Sequence, residues 1–134
     1  MDGTVNLIEI ADRKIGANQP CFVIAEAGVN HNGDINIAHR LIDVAAESGA
    51  DAIKFQTFIA DRLVTSSAPK ANYQIQTTDV AESQYDMLKR LELSEQAHRE
   101  LITHCNEKKI IFLSTPFDEQ SADFLEDLGV AAFK

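Results

Sequence analysis

The sequence predicts an α/β protein of parallel β/α units amounting to about half of a TIM barrel, preceded by a small amino-terminal β-hairpin. Two observations carry this expectation. Short apolar runs alternate in regular order with segments of helical apolar spacing, which implies βαβ units and a parallel sheet. One local sequence also occurs twice, as Gly49-Ala-Asp-Ala-Ile-Lys54 and Gly129-Val-Ala-Ala-Phe-Lys134. Each copy reads as a helix stop, a short apolar strand and a cation at the strand's carboxyl end, where parallel β/α folds carry their active sites.

The elements follow in order. Val5 to Ala11 and Arg13 to Gly16 read as a hairpin turning around Asp12, within a hairpin region of residues 1–18 that precedes β/α units over 19–134. Pro20 then introduces Cys21-Phe-Val-Ile-Ala25, an apolar run suited to a buried parallel strand. Asp34 is placed to cap a helix in which Ile35, Ala38, Leu41, Ile42, Ala45 and Ala46 recur at helical spacing, and Gly49 supplies its left-handed stop. Strand two is Ala52 to Gln56. From Thr57 to about Glu82 the chain is polar, and Ala68-Pro69 and Thr77-Thr78-Asp79 argue against regular structure for most of that length. Loops that long usually carry function or move. Ser83 and Ser94 are placed to cap two further helices, the second with Ala97, Leu101, Ile102 and Cys105 on its apolar face. Ile110 to Ser114 is strand three, a helix runs from about Asp118 to Leu128, and Val130 to Lys134 opens strand four.

Three units and a fourth strand make about half of a fold whose usual length is about 250 residues. The 134 residues therefore read as a single partial domain, the amino-terminal part of a longer enzyme or a unit that must associate to cover two open sheet edges. A flavodoxin-like open sheet is the structural alternative; the long insertion after strand two and the end of the chain on a strand argue against it.

Composition narrows the partners. A hydrophobic content of 45% suffices for one core, and the net charge of -9 argues against nucleic acid or an anionic membrane surface. Any anionic ligand must then be held by local cations. No apolar run reaches the length of a signal peptide or a membrane span, which suggests a cytoplasmic protein. Cys21 and Cys105 make no disulfide framework and read as buried free thiols.

Chemistry gathers at the strand ends. Glu26 follows strand one directly and opens Glu26-Ala-Gly-Val-Asn-His31-Asn32-Gly33-Asp34, a polar loop with glycines that let the backbone bend. A turn with a capped helix explains Gly33 and Asp34, and is an open alternative for His31 and Asn32. A carboxylate straight after an apolar strand needs a partner. On strand two, Lys54 and Gln56 share one face while Ile53 and Phe55 take the other and pack against helices. An ion pair of Glu26 with Lys54 serving structure alone is the plain option. Lys134 weighs against it, because alternate barrel strands feed one side-chain layer and two converging lysines favour a phosphate or carboxylate ligand. Ser114-Thr115-Pro116-Phe117-Asp118 adds hydroxyls beside a helix amino terminus, although capping by Asp118 accounts for part of this motif. His39, His98 and His104 fall on helices, and no His/Cys/Asp spacing builds a complete metal site.

Together, Phe22-Val-Ile-Ala-Glu26-Ala-Gly-Val-Asn-His31-Asn-Gly-Asp34, Ala-Asp-Ala-Ile-Lys54-Phe-Gln56-Thr, Phe112-Leu-Ser-Thr115-Pro-Phe117-Asp118 and Ala132-Phe-Lys134 resemble the sialic acid synthase family over nearly the whole chain. That family includes N-acetylneuraminate, legionaminate and pseudaminate synthases. The resemblance implies condensation of phosphoenolpyruvate with an N-acylated amino sugar, a barrel followed by a small antifreeze-like domain, and a domain-swapped homodimer. It also implies a divalent metal, manganese or magnesium, held mainly by histidines of later strands outside this chain.

Carried over by motif, Lys54, Thr115 and Lys134 would bind phosphoenolpyruvate, and Glu26 and Gln56 would face the sugar. Glu26, Lys54 and Lys134 are thus the candidate catalytic residues, with Gln56, Thr115 and Asn32 as candidate substrate-binding groups. Pro69-Lys70-Ala-Asn72-Tyr73-Gln74 resembles the long-loop branch of the family. Two rival readings are a Schiff-base pyruvate aldolase using Lys54 or Lys134 as nucleophile, and a non-catalytic folding or assembly module.

Overall fold

The computed structural model describes residues 6–64 and 82–134. Two short strands, β1 (Ile8–Ile10) and β2 (Arg13–Ile15), pair antiparallel with Ile10 opposite Arg13, so the two-residue turn is Ala11-Asp12. Ala11 takes a left-handed backbone there, with φ 53°. The hairpin has the expected position but shorter strands.

The main sheet is parallel and runs in the order β3 (Ile24–Gly28), β4 (Ala52–Thr57), β5 (Ile111–Pro116). Consecutive strands are thus neighbours. A flavodoxin-like sheet would instead reverse its strand order near the start. Between β3 and β4 lies α1 (Ile35–Glu47), whose first turn is capped by Asp34 accepting from the Asn36 N–H at 2.8 Å. Between β4 and β5 lie α2 (Ala60–Leu63), α3 (Gln84–Leu91) and α4 (Glu95–Lys108). Ser83 and Ser94 cap α3 and α4 as expected, and Asp118 caps α5 (Glu119–Asp127).

One face of the sheet is covered. Ile53, Phe55 and Phe112 pack with Ala38, Ile42, Leu101 and Leu125 from α1, α4 and α5, and the Phe55 and Phe112 rings stack 5.6 Å apart. Burial of these apolar groups supplies the main driving force for docking the helices on the strands.

Four expectations need correction. Strand one is shifted: pairing starts at Ile24, because the backbone of Val23 is already bonded at the start of β4, giving its N–H to the Asp51 carboxylate and its carbonyl to Asp51 and Ala52. Glu26 consequently lies within β3 and not after it. Cys21, ahead of that ladder, is exposed, whereas Cys105 is buried and burial pushes its thiol up to about 12. Finally, Val130 to Lys134 does not form a strand of that length. Val130 gives its N–H back to Leu125 at the end of α5, Ala131 bends, and only Phe133 makes a parallel bridge, to Ser114.

The stretch after Thr57 holds a single helical turn, α2, before Val64, and the segment Pro69 to Gln74 lies outside the described residues.

Candidate functional site

The face of the sheet that the described residues leave uncovered carries the candidate groups. Register partners share a face, so Glu26, opposite Lys54, and Thr115, opposite Gln56, stand on the same side, away from the face of Ile53, Phe55 and Phe112. The structure brings Glu26, Lys54 and Gln56 together. The Lys54 ammonium donates to Glu26 Oε2; the lysine side chain is 11% exposed and the carboxylate 55%. An ammonium held this deeply in a sheet face loses much of its solvation, which a close carboxylate offsets. Because the carboxylate remains half in solvent, the pair keeps hydrogen-bonding capacity for a third group.

Gln56 reaches the same place from the next inward position of β4. Both its Nε2 and Glu26 Oε1 lie beside Gly28: a Cβ built on Gly28 would meet them at 3.8 Å and 3.2 Å. Thr115 is partly buried in register with Gln56. Continuing the Ser114–Phe133 bridge by one residue sets Lys134 level with Thr115, and its side chain is exposed. Asn32 sits apart from this sheet face in the β3–α1 loop, exposed, with a left-handed φ of 52° and its N–H bonded to the Val29 carbonyl.

That loop is anchored by two features. At Gly33 (φ 77°) a Cβ would come within 2.2 Å of the Arg90 carbonyl, so only glycine lets the loop close onto the end of α3. His31 is fully buried beside the Phe55 ring, and its Nδ1 accepts from the Gly33 N–H at 3.0 Å. Burial, with a smaller contribution from His98, lowers the His31 pKa, so the ring is neutral and carries its proton on Nε2. That Nε2 has no partner among the described residues.

The covered face has a polar network of its own, which sequence reading did not reveal. Burial is the main cause lowering the His98 pKa, and the neutral ring donates from Nδ1 to the Ser94 carbonyl at 2.8 Å. Its Nε2 is then an acceptor for the Thr57 hydroxyl at 2.8 Å, which in turn accepts from Ser114 at 2.6 Å. All three side chains are buried. Nothing in the spacing of Thr57, His98 and Ser114 signals this chain, since the groups meet only when β4, β5 and α4 pack.

At the carboxyl end of β5, Arg62 of α2 donates to Asp118 at 3.1 Å and to Ser121 at 3.2 Å, tying α2 to the turn that follows Thr115. Burial would raise the Asp118 pKa, but hydrogen bonds from Ser121 and Arg62 outweigh it and lower it. His39 and His104 lie on α1 and α4 with their rings 4.6 Å apart, and His104 pairs with Asp43. Among the described residues no three His, Cys, Asp or Glu side chains converge as a metal site. No helix among them is long and apolar enough to cross a membrane.

Residues 41–134 match the model of the NeuB family. The chain is 55% identical over 119 residues to the N,N'-diacetyllegionaminic acid synthase of Legionella pneumophila, covering 89% of this chain and 33% of that protein. It is 54% identical over 113 residues to the enzyme of the same name from Campylobacter jejuni, covering 84% and 34%. The chain thus spans about a third of the length of these curated relatives. Among solved structures, the N-acetylneuraminic acid synthetase of Leptospira borgpetersenii, in complex with citrate, superposes with a TM-score of 0.77 at 34% identity, covering 96% of this chain and 40% of that one. The β/α units are of TIM-barrel type, as in these synthases.

Proposed function

This chain belongs to the NeuB family of sialic-acid-type synthases, and from that premise we propose that it forms the amino-terminal half of a barrel that condenses phosphoenolpyruvate with an N-acylated amino sugar. The observation that carries the proposal is the grouping of Glu26, Lys54 and Gln56 on the uncovered sheet face, with Thr115 in register beside them. A lysine that is mostly buried yet keeps a half-exposed carboxylate partner is suited to receive a second, stronger anion. Lys54, Lys134 and Thr115 would hold the phosphate and carboxylate of phosphoenolpyruvate, while Glu26 and Gln56 would face the sugar.

In this reaction the enol carbon forms a bond to the aldehyde carbon of the sugar, and cationic character develops at the carbon bearing phosphate. Water adds there and phosphate departs, leaving a nine-carbon acidic sugar. The lysines would fix the enol in line with the aldehyde and offset the phosphate charge through both steps. A divalent metal, manganese or magnesium, would polarise the aldehyde oxygen in the full-length enzyme, with its main ligands outside this chain. The full-length protein is proposed to be a cytoplasmic homodimer.

Phosphate release tests the reading. With manganese, phosphoenolpyruvate and an N-acylated amino sugar, the full-length protein should turn over, while the 134 residues alone should not. Borohydride trapping of a pyruvate imine on Lys54 or Lys134 would replace the synthase reading with that of a Schiff-base aldolase.

A further inference from the structure

Gly28 has a geometry that its place in a strand does not require. The parallel ladder between β3 and β4 skips Ala27: Glu26 pairs with Lys54 and Gly28 with Phe55, a β-bulge of one residue. Bulges re-aim side chains next to functional sites. Here Ala27 turns into the core beneath the helices, 1% exposed, and Gly28 takes a φ of 53°. In that left-handed conformation a side chain on residue 28 would point at the polar cluster, 3.2 Å from Glu26 Oε1 and 3.8 Å from Gln56 Nε2. The first distance is too short for an undisturbed neighbour. A side chain at residue 28 would therefore press on the Glu26 carboxylate, which must give way, while meeting the Gln56 carboxamide at ordinary contact distance.

We propose that Gly28 is a positioning residue of this site: the bulge sets residue 28, with its left-handed backbone, against the Glu26 carboxylate, and the absent side chain lets that carboxylate lie close by while its other oxygen takes the Lys54 ammonium. Gly28 itself touches no reacting atom. Its effect on catalysis passes through Glu26 and Gln56 and rests on the reading of those two as sugar-facing groups.

The test is Gly28→Ala in the full-length protein, with Gly28→Asn beside it, because asparagine adopts the left-handed region readily and keeps the backbone if alanine does not fold. A crystal structure of the variant without substrate is the first measurement. The expected result is a Glu26 carboxylate rotated off Lys54 with the strand register unchanged; a carboxylate still seated on Lys54 beside Gln56 overturns the proposal.

Kinetics supply the second measurement. Misplacement of Glu26 and Gln56 should raise the Michaelis constant for the sugar by about tenfold while that for phosphoenolpyruvate stays within about twofold. A general structural defect would move both together, and that outcome also overturns the proposal. If Glu26 is displaced in the crystal yet both constants match wild type, the positioning of Glu26 by Gly28 stands and the assignment of Glu26 to the sugar falls.

Discussion

The two faces of the parallel sheet both carry polar side chains, but they treat them in opposite ways. On the helix-covered face, Ser114, Thr57 and His98 form a closed chain that ends on the Ser94 carbonyl, and all three side chains are buried. On the open face, Glu26 satisfies Lys54 yet remains half in solvent, with Gln56 and Thr115 nearby. A network whose donors and acceptors are matched internally has nothing left to offer a ligand and contributes to stability and specificity of packing. One that retains solvent-facing oxygens and donors is available to bind. On the proposed function, this contrast gives structure to one face and chemistry to the other, although the two are separated by a single layer of backbone.

Substitutions on the two faces should separate stability from binding. The largest stability loss is expected for Phe55→Ala, which removes a fully buried ring stacked on Phe112, at about 3–5 kcal/mol in chemical denaturation. Thr57→Val breaks the middle of the covered chain and leaves His98 Nε2 without its donor, for a loss of about 1–3 kcal/mol. A binding measurement on the folded variant should find phosphoenolpyruvate affinity unchanged. If affinity fell with Thr57→Val, the two faces would be coupled and the division would fail.

pH sharpens the same division. His31 and His98 are buried neutral, with pKa values lowered in the fold relative to the ordinary histidine value near 6.5. The unfolded chain binds those protons more readily, so their contribution to stability is fully present above about pH 6.5 and is lost as pH falls through the lowered folded values. Melting temperatures measured from pH 8 down to pH 5 should therefore decline on the acid side. His98→Gln should flatten that decline, and an unchanged slope would mean that His98 is not held neutral.

Local signals made much of this architecture legible in the sequence. Asp34, Ser83, Ser94 and Asp118 each cap the helix expected of them, because capping depends on residues two or three positions apart. The Ile53/Phe55 and Lys54/Gln56 alternation placed each pair on its proper face for the same reason. What depended on partners distant in sequence was not legible. The start of β3 is set by Asp51 and Ala52 across the sheet, not by the apolar run from Cys21, and the bulge at Ala27 has no signature in composition. The convergence of Thr57, His98 and Ser114 likewise exists only after packing. The ion pair of Glu26 with Lys54, raised from the sequence only as the plain structural alternative to a ligand site, is present.

The smallest stability effect in the set is expected at Lys54, whose loss leaves a carboxylate already half in solvent, costing about 1 kcal/mol or less. Its binding effect should be the opposite. Calorimetric titration of phosphoenolpyruvate into the full-length protein should show Lys54→Met and Lys134→Met each weakened by about 2–5 kcal/mol. Lys89→Met, on the exposed surface of α3 where the ammonium meets Asp61 and Glu92, should bind as wild type does. Equal affinity for wild type, Lys54→Met and Lys134→Met would contradict the account, reducing the Glu26–Lys54 pair to a structural contact on an unused face.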